Sequence, residues 1–289
     1  MNYRSFFLYL LRALPDKLYI NIKFYKNFGR FVNFENPQTY SEKLQWLKLY
    51  DRKPLYTQIV DKYLVKEYVS KLIGEEYVIP ILGKWNSFDE IDFETLPNQF
   101  VLKTNHDCGG VVVCKDKYSF NLKKAKKKLE SHLRCNYYWE HREWPYKDVK
   151  PCIFAEKYMV DESGYELKDY KWFCFDGVPK ALFIAKDRDN PNEETKFDFY
   201  DMDFNHLPIK NGHPNADTAI DKPVGFEKMK ELARVLSKGF PHVRVDFYDI
   251  NGHIYFGELT FFHWSGFVKF EPQEWDSTFG SWIKLPENS

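Results

Sequence analysis

Arg244, Asp246 and Glu258 stand inside an apolar, aromatic-rich run, VRVDFYDINGHIYFGELTFF, that a core hairpin would keep free of charge. Two carboxylates and a guanidinium gathered on one face can hold a hard divalent cation and the oxygens of a polyanion. Whether they gather depends on register. With a three-residue loop, Ile250 to Gly252 with Gly252 left-handed, Asp249 pairs with His253 and Arg244 lies opposite Glu258. Asp246 is then diagonal to Glu258, within about 7–8 Å on the same face. A two-residue Asn251-Gly252 loop would send the two acids to opposite faces, because a one-residue slip flips every side chain. The three-residue loop is the register expected here, with Val243, Val245, Phe247, Leu259 and Phe261 on the other face. A surface hairpin with a simple cross-strand ion pair would carry the same residues.

Other charges interrupt strand-like runs. FVLKTNHDCGG places Lys103 on one strand face with Val101 and follows it with Gly109-Gly110. A strand lysine before a loop whose bare N–H groups can approach oxygen closely suits a nucleotide phosphate, although it is not the Walker pattern and an exposed hairpin turn would also fit. FAEKYMV sets Glu156 and Lys157 at a strand exit, where backbone groups can meet an adenine ring and Glu156 can accept from its amino group. DYKWFCFDG supplies Asp169 and Lys171 on one face. Asp201 and Asp203 match the Asp-x-Asp of metal-dependent glycosyltransferases, but no alternating βαβ pattern precedes them. The eight histidines form no zinc spacing; His106 beside the glycine loop and His263 after the hairpin are the two of interest.

The elements that must position these groups are legible in outline. NPQTYSEKLQWLKLY carries a capping box, Thr39 and Glu42, with Tyr40, Leu44 and Leu47 at helical spacing. DKYLVKEYVSKLIG reads as a second helix with Leu64, Tyr68 and Leu72 inward and Gly74 as its cap. NLKKAKKKLESHL is a third, capped by Asn121, with Leu122, Ala125, Leu129 and Leu133 inward and its lysines on a solvated face. The runs around FVLKT, VVVC, CIFAEKYM, KDYKWFCF, PKALFIAK and TKFDFYD are strands, and helices are expected over GFEKMKELARVLSKGF and from Trp275 to Ile283. Helices first, then antiparallel strands with interspersed helices, predict an α+β fold.

The chain has 289 residues, 29% charged and 19% aromatic, with 42 basic and 42 acidic side chains. It is long enough for a large core, and its even balance gives no global field for nucleic acid. Five single cysteines without a Cys-x-x-Cys pair fit a reducing cytoplasm. The run FFLYLLRAL is too short to span a bilayer. Residues 1–30 hold six basic side chains against one acid, Asp16, so this helix either docks on the body, the preferred reading, or contacts the inner face of the cytoplasmic membrane.

Taken in order, the lysine and glycine loop, the Glu-Lys strand, Asp-x-Lys and the terminal pair Asp246 and Glu258 resemble the ATP-grasp superfamily. NPQTYSEKLQWLKLYDRKPLY, DKYLVKEYV, FVLKTNH and GELTFF look like its TupA-like family, named for teichuronopeptide synthesis and found among capsule and cell-surface polysaccharide proteins. The resemblance runs from about Arg12 to Leu285. It implies two α+β lobes clasping ATP, roughly 98–158 and 159–289 within a domain 61–289, behind a helical segment 1–60. It implies an ATP-dependent ligase that phosphorylates a carboxylate, borne on a sugar or amino acid, and joins it to an amine or other nucleophile. By the same resemblance Lys103 and Lys171 bind phosphate oxygens, with Asp169 beside them, and the loop Asn105, His106 to Gly109 and Gly110 covers the γ-phosphate. Glu156, Lys157 and Met159 face the adenine, Asp246 and Glu258 hold magnesium, and Arg244 stabilises the phosphoryl oxygens. Thr260 stands where many such ligases have asparagine, a weaker second metal ligand. DCGG and His263-Trp264 also depart from the family's usual Gly-Ser and Pro-Gly. A glycosyltransferase of the same pathway and an inactive ATP-binding protein are the alternatives.

Overall fold

The computed structural model describes residues 12–161, 164, 167–187 and 193–287. Two antiparallel sheets dominate it. Strands β1 (Ile81–Trp85), β2 (Phe100–Thr104), β3 (Val111–Cys114) and β4 (Ile153–Lys157) form one sheet in the order β1-β4-β2-β3. Strands β5 (Asp169–Phe175), β6 (Val178–Lys186), β7 (Lys196–Tyr200), β8 (His206–Leu207), β9 (Val243–Ile250) and β10 (His253–Thr260) form the other, in the order β10-β9-β5-β6-β7-β8. The α+β expectation holds.

Helix α1 (Asp16–Phe28) buries Ile20 and Phe24, and α2 (Tyr40–Tyr50) buries Tyr40, Leu44 and Leu47 in the same apolar core as the six-stranded sheet. Helices α3 (Leu55–Val60) and α4 (Leu64–Ile73) lead to the first sheet. Helix α5 (Leu122–Leu133) covers β2 and β3, and a short α6 (Tyr138–His141) follows it. Helix α7 (Phe226–Ser237) lies across β5, β6 and β9, and α8 (Glu274–Trp282) packs on α2. The capping box of α2 forms as its sequence demands, with Thr39 accepting from the Glu42 amide. The four-stranded sheet has its own core, around Phe100, Leu102, Leu129, Ile153 and Ala155.

Two helical faces differ from expectation. In α4 the inward residues are Val65, Lys66 and Val69, while Leu64 and Leu72 are exposed. The apolar stripe lies about one residue away from the expected one, because a buried lysine interrupts it and finds an acid inside. In α5 Ala125 and Leu129 are buried as expected, but Leu122 lies in solvent at the first turn.

The hairpin register is also corrected. Asn251 and Gly252, at φ 54 and 84, make a two-residue turn, and His253 pairs with Ile250. Two successive left-handed residues give a turn whose twist matches the strands, which an Asn-Gly pair adopts at little cost. The register then shifts between Phe256 and Glu258, so that Gly257 is bulged and Glu258 pairs with Asp246 while Thr260 pairs with Arg244. The acids do share a face, but the bulge puts them there rather than a longer loop.

Candidate active site

A cleft of about 470 Å³ lies between the sheets, lined by Lys103, Val111 and Val113 from the first, by Glu156 to Val160 at its exit, and by Asp169 and Tyr248 from the second. It brings Lys103, Glu156, Lys157, Met159 and Asp169 together on one wall-to-wall surface.

On the first sheet, Lys103 and Val101 share a face because strand residues alternate, and their neighbours across β4 are Phe154 and Glu156. Glu156 ion-pairs with Lys103 at 2.5 Å through one carboxylate oxygen and with the buried Lys66 through the other. Burial works to raise this carboxyl, but Lys103 and Lys66 outweigh it and bring it down to about 2. With both oxygens engaged by lysines, the acid aligns Lys103 on the cleft wall. The backbone around Lys157 and Met159 still lines the cleft.

The loop after Lys103 is braced from beneath. Asn105 donates to Asp61 at 2.7 Å and to the Lys150 carbonyl, and its own oxygen accepts from the Cys152 amide. His106 lies against Asn105 and the Cys135 carbonyl. Both side chains are buried, and their hydrogen bonds shape the loop. Asp107 is gripped by Thr104 and by His132 of α5. Gly110 is needed for a steric reason, since a Cβ there would sit 1.7 Å from the Thr104 hydroxyl. Gly109, at φ 94, makes the left-handed step beside it.

On the second sheet the charges form one connected cluster. Arg244 donates through Nε and Nη2 to the two oxygens of Asp246, at 2.7 and 2.8 Å. The same Nη2 reaches Glu258 at 2.8 Å and the Thr260 hydroxyl at 3.0 Å, and that hydroxyl lies 3.1 Å from Glu258. Lys171, paired across β5 and β9 with Asp246, contacts its carboxylate at 2.6 Å and Asp169 at 3.2 Å. Asp246 is fully buried, which raises its carboxyl despite Arg244 and Lys171. The Glu258 side chain is 37% exposed. Desolvation works to raise Glu258, yet Lys171, Arg244 and Lys62 hold it well below the ordinary carboxylate range. The same two acids keep Arg244 charged against its burial.

Two cations, Arg244 and Lys171, face three carboxylates, Asp169, Asp246 and Glu258, leaving the cluster one negative charge over. That excess and the exposed, ionised Glu258 fit a hard cation with oxygen ligands. Asp246 fits less simply, because Arg244 and Lys171 already occupy its oxygens. No cluster of three or more His, Cys, Asp or Glu that could hold a metal occurs among the described residues.

Asp201 and Asp203 do not join the site. Asp201 accepts from the amides of Asp203 and Asn205 and from the Asn205 side chain, which closes the turn between β7 and β8. That turn lies three strands from β9, roughly 14 Å along the sheet at the usual spacing. Lys66, His132 and Tyr248 contribute to the site without having been expected. The one available signal was Lys66, a lysine between valines at helical spacing.

Among solved structures, D-alanine–D-alanine ligase from Bacillus anthracis, in complex with ATP, is 14% identical over 70% of this chain and 53% of its own, with a TM-score of 0.41. The Helicobacter pylori D-alanine–D-alanine ligase is 16% identical over 84% of this chain and 69% of its own, at 0.43. An ADP complex of N5-carboxyaminoimidazole ribonucleotide synthetase is 17% identical over 76% and 50%, at 0.41. The chain thus spans about half the length of the first of these, and all three likenesses are distant. No curated protein matches it. Residues 42–284 match the model of the TupA-like ATP-grasp family, and the chain belongs to that family.

Proposed function

We propose that this protein is an ATP-dependent carboxylate–amine ligase of surface polysaccharide synthesis, joining an amino acid or amine to a sugar acid. The observation that carries the reading is the cleft between the sheets, lined by Lys103 on one side and Asp169 on the other, with Lys171 linking Asp169 to the Arg244, Asp246 and Glu258 cluster. Phosphoryl transfer depends chiefly on positioning and charge stabilisation, and these groups supply both. A substrate carboxylate oxygen attacks the γ-phosphorus and ADP leaves. The amine then attacks the acyl carbon and expels phosphate, giving the amide and releasing a proton.

Lys103, aligned by Glu156, holds phosphate oxygens from one side. Lys171 turns from Asp246 and Asp169 toward them from the other, and Arg244 faces the transferring group. Bound magnesium, held by Glu258 and Asp246 with Thr260 as a weaker oxygen ligand, would supply neutralisation of phosphate charge. The lobes are read as 98–158 and 159–289, with 1–60 as a helical brace. We read the cytoplasm as the compartment. The outward stripe of α1, Leu18, Ile22 and Tyr25 with the nearby Phe31, flanked by the exposed Lys17 and Lys26, is read as a peripheral contact with the inner membrane face.

The test is mass spectrometry of the surface glycan with and without the protein, alongside nucleotide release in vitro. A missing amide-linked substituent and acceptor-dependent ADP release are expected. A missing sugar with UDP release from a nucleotide sugar would overturn the ligase reading.

A further inference from the structure

We infer that His263 and Asn211 form a neutral positioning device for Arg244, locked in a single tautomer by hydrogen-bond direction. His263 Nδ1 lies 2.7 Å from Arg244 Nη1, and His263 Nε2 lies 2.8 Å from Asn211 Oδ1. The guanidinium has N–H donors and no acceptor, so Nδ1 must carry a lone pair. At the far end, Asn211 Nδ2 donates to the carbonyls of Lys269 and Val268, at 3.0 and 3.4 Å, which fixes the amide so that its oxygen faces His263. Nε2 must therefore carry the proton. Each link admits one direction, and all three agree.

Both side chains are buried, and the imidazole is packed edge-on against Phe173 at 5.0 Å between ring centroids. A second proton, on Nδ1, would point at the guanidinium, and burial together with Arg244 holds His263 well below its ordinary range. The chemical consequence is specific. A carboxylate in this place would orient Arg244 and also cancel its charge. A neutral imidazole holds the free Nη1 edge of the guanidinium without adding another negative charge to the two acids already paired with it.

The backbone that carries His263 is held at some expense. Trp264, Ser265 and Gly266 follow it at φ 48, 54 and 65, three left-handed residues in succession. Such strain persists only where surrounding contacts over-determine it. Here Gln45 donates to the carbonyls of Ser265 and Gly266, the buried Lys48 donates to that of Ser265 at 2.7 Å, and the Ser265 hydroxyl donates to Glu143. Helix α2 thus braces the turn that aims the imidazole at Arg244.

The inference rests on Arg244 acting at a transferring phosphoryl group, and two measurements separate it from that reading. With 15N-labelled histidine at neutral pH, His263 is expected to show a protonated Nε2 and an unprotonated Nδ1; a proton on Nδ1 would overturn the proposal in wild-type protein, with no variant needed. Separately, the affinity for Mg·ADP is measured with and without aluminium fluoride, a mimic of the transferring phosphoryl. Aluminium fluoride should tighten binding to the wild type by about 10–100-fold, as a charge-assisted contact provides. H263F, which keeps the ring shape and removes the acceptor, should lose that gain while its Mg·ADP affinity stays within about threefold. H263N, whose Oδ1 restores an acceptor toward Arg244, should recover most of it. An undiminished gain in H263F would overturn the positioning role. No gain in the wild type would sink the phosphoryl reading, and the tautomer alone would then decide whether His263 holds Arg244.

Discussion

Lys103 is ion-paired to Glu156 and partly exposed to the cleft, so its loss should spare the fold. Lys103→Ala is expected to weaken ATP binding by about 2–4 kcal/mol, the value of a charge-assisted contact in a partly desolvated site, as calorimetry would measure. Glu156 behaves differently because it is buried between two lysines. Its carboxyl, held at about 2, contributes stability that is fully present above the ordinary carboxylate range and is lost as pH falls toward 2. The contribution is on the order of 3 kcal/mol. Urea titrations at neutral and acid pH should show Glu156→Gln destabilised near neutrality and less sensitive to acid than the wild type; parallel curves for the two proteins would refute this. The two hairpin acids should also part company. Glu258→Gln, at the exposed end, is expected to abolish most turnover with only a modest fall in melting temperature, since Arg244 loses one of its two acidic partners but keeps Asp246. Asp246→Asn should lose turnover and stability together, by about 3–5 kcal/mol, because Lys171 and Arg244 lose a buried counter-charge. A fully active Asp246→Asn variant would remove that acid from the site.

The β9–β10 hairpin and the turn that follows it are the elements where local geometry decides the chemistry. An Asn-Gly turn with an unbroken ladder would have separated Asp246 from Glu258, and the bulge at Gly257 restores them to one face. Beyond the hairpin, the left-handed run from Trp264 to Gly266 has no room for a larger residue. A Cβ on Gly266 would meet Gln45 Nε2 at 2.5 Å and Leu44 Cβ at 3.0 Å, at a φ of 65. Gly266→Ala should therefore cost about 2–4 kcal/mol, combining a left-handed penalty with overpacking, as thermal or urea unfolding would report. A neutral outcome would mean that α2 does not brace the turn.

At the scale of the whole molecule, α1 and α2 share the core of the six-stranded sheet, and α2 reaches the turn after His263 through Lys48 and Gln45. Only one face of α1 is used inward. Its other face carries the apolar stripe with lysines on both sides, and anionic vesicles at low salt should sediment with the protein. Leu18→Glu with Ile22→Glu leaves Ile20 and Phe24 in the core and should abolish that binding. Unchanged sedimentation of the double variant would exclude the stripe as the contact. No helix among the described residues is long and apolar enough to cross a membrane.

Some of this was decided by the sequence alone. The capping box of α2, the Asn121 cap, the alternation that pairs Lys103 with Val101, and the presence of Arg244, Asp246 and Glu258 in one hairpin all depend on residues close in the chain, where spacing dictates geometry. The family could be read for the same reason, from short segments in a fixed order. Tertiary structure decided what depended on distant partners. Glu156 pairs with Lys103 and Lys66, which stand 53 and 90 positions before it, so nothing local marked its ion pairs. Asn105 and His106 turned inward because Asp61, Cys152 and Cys135 were waiting there. Even within the hairpin, the bulge at Gly257 was hidden. A glycine permits a bulge without requiring one, so the residue type at 257 left the β9–β10 register open.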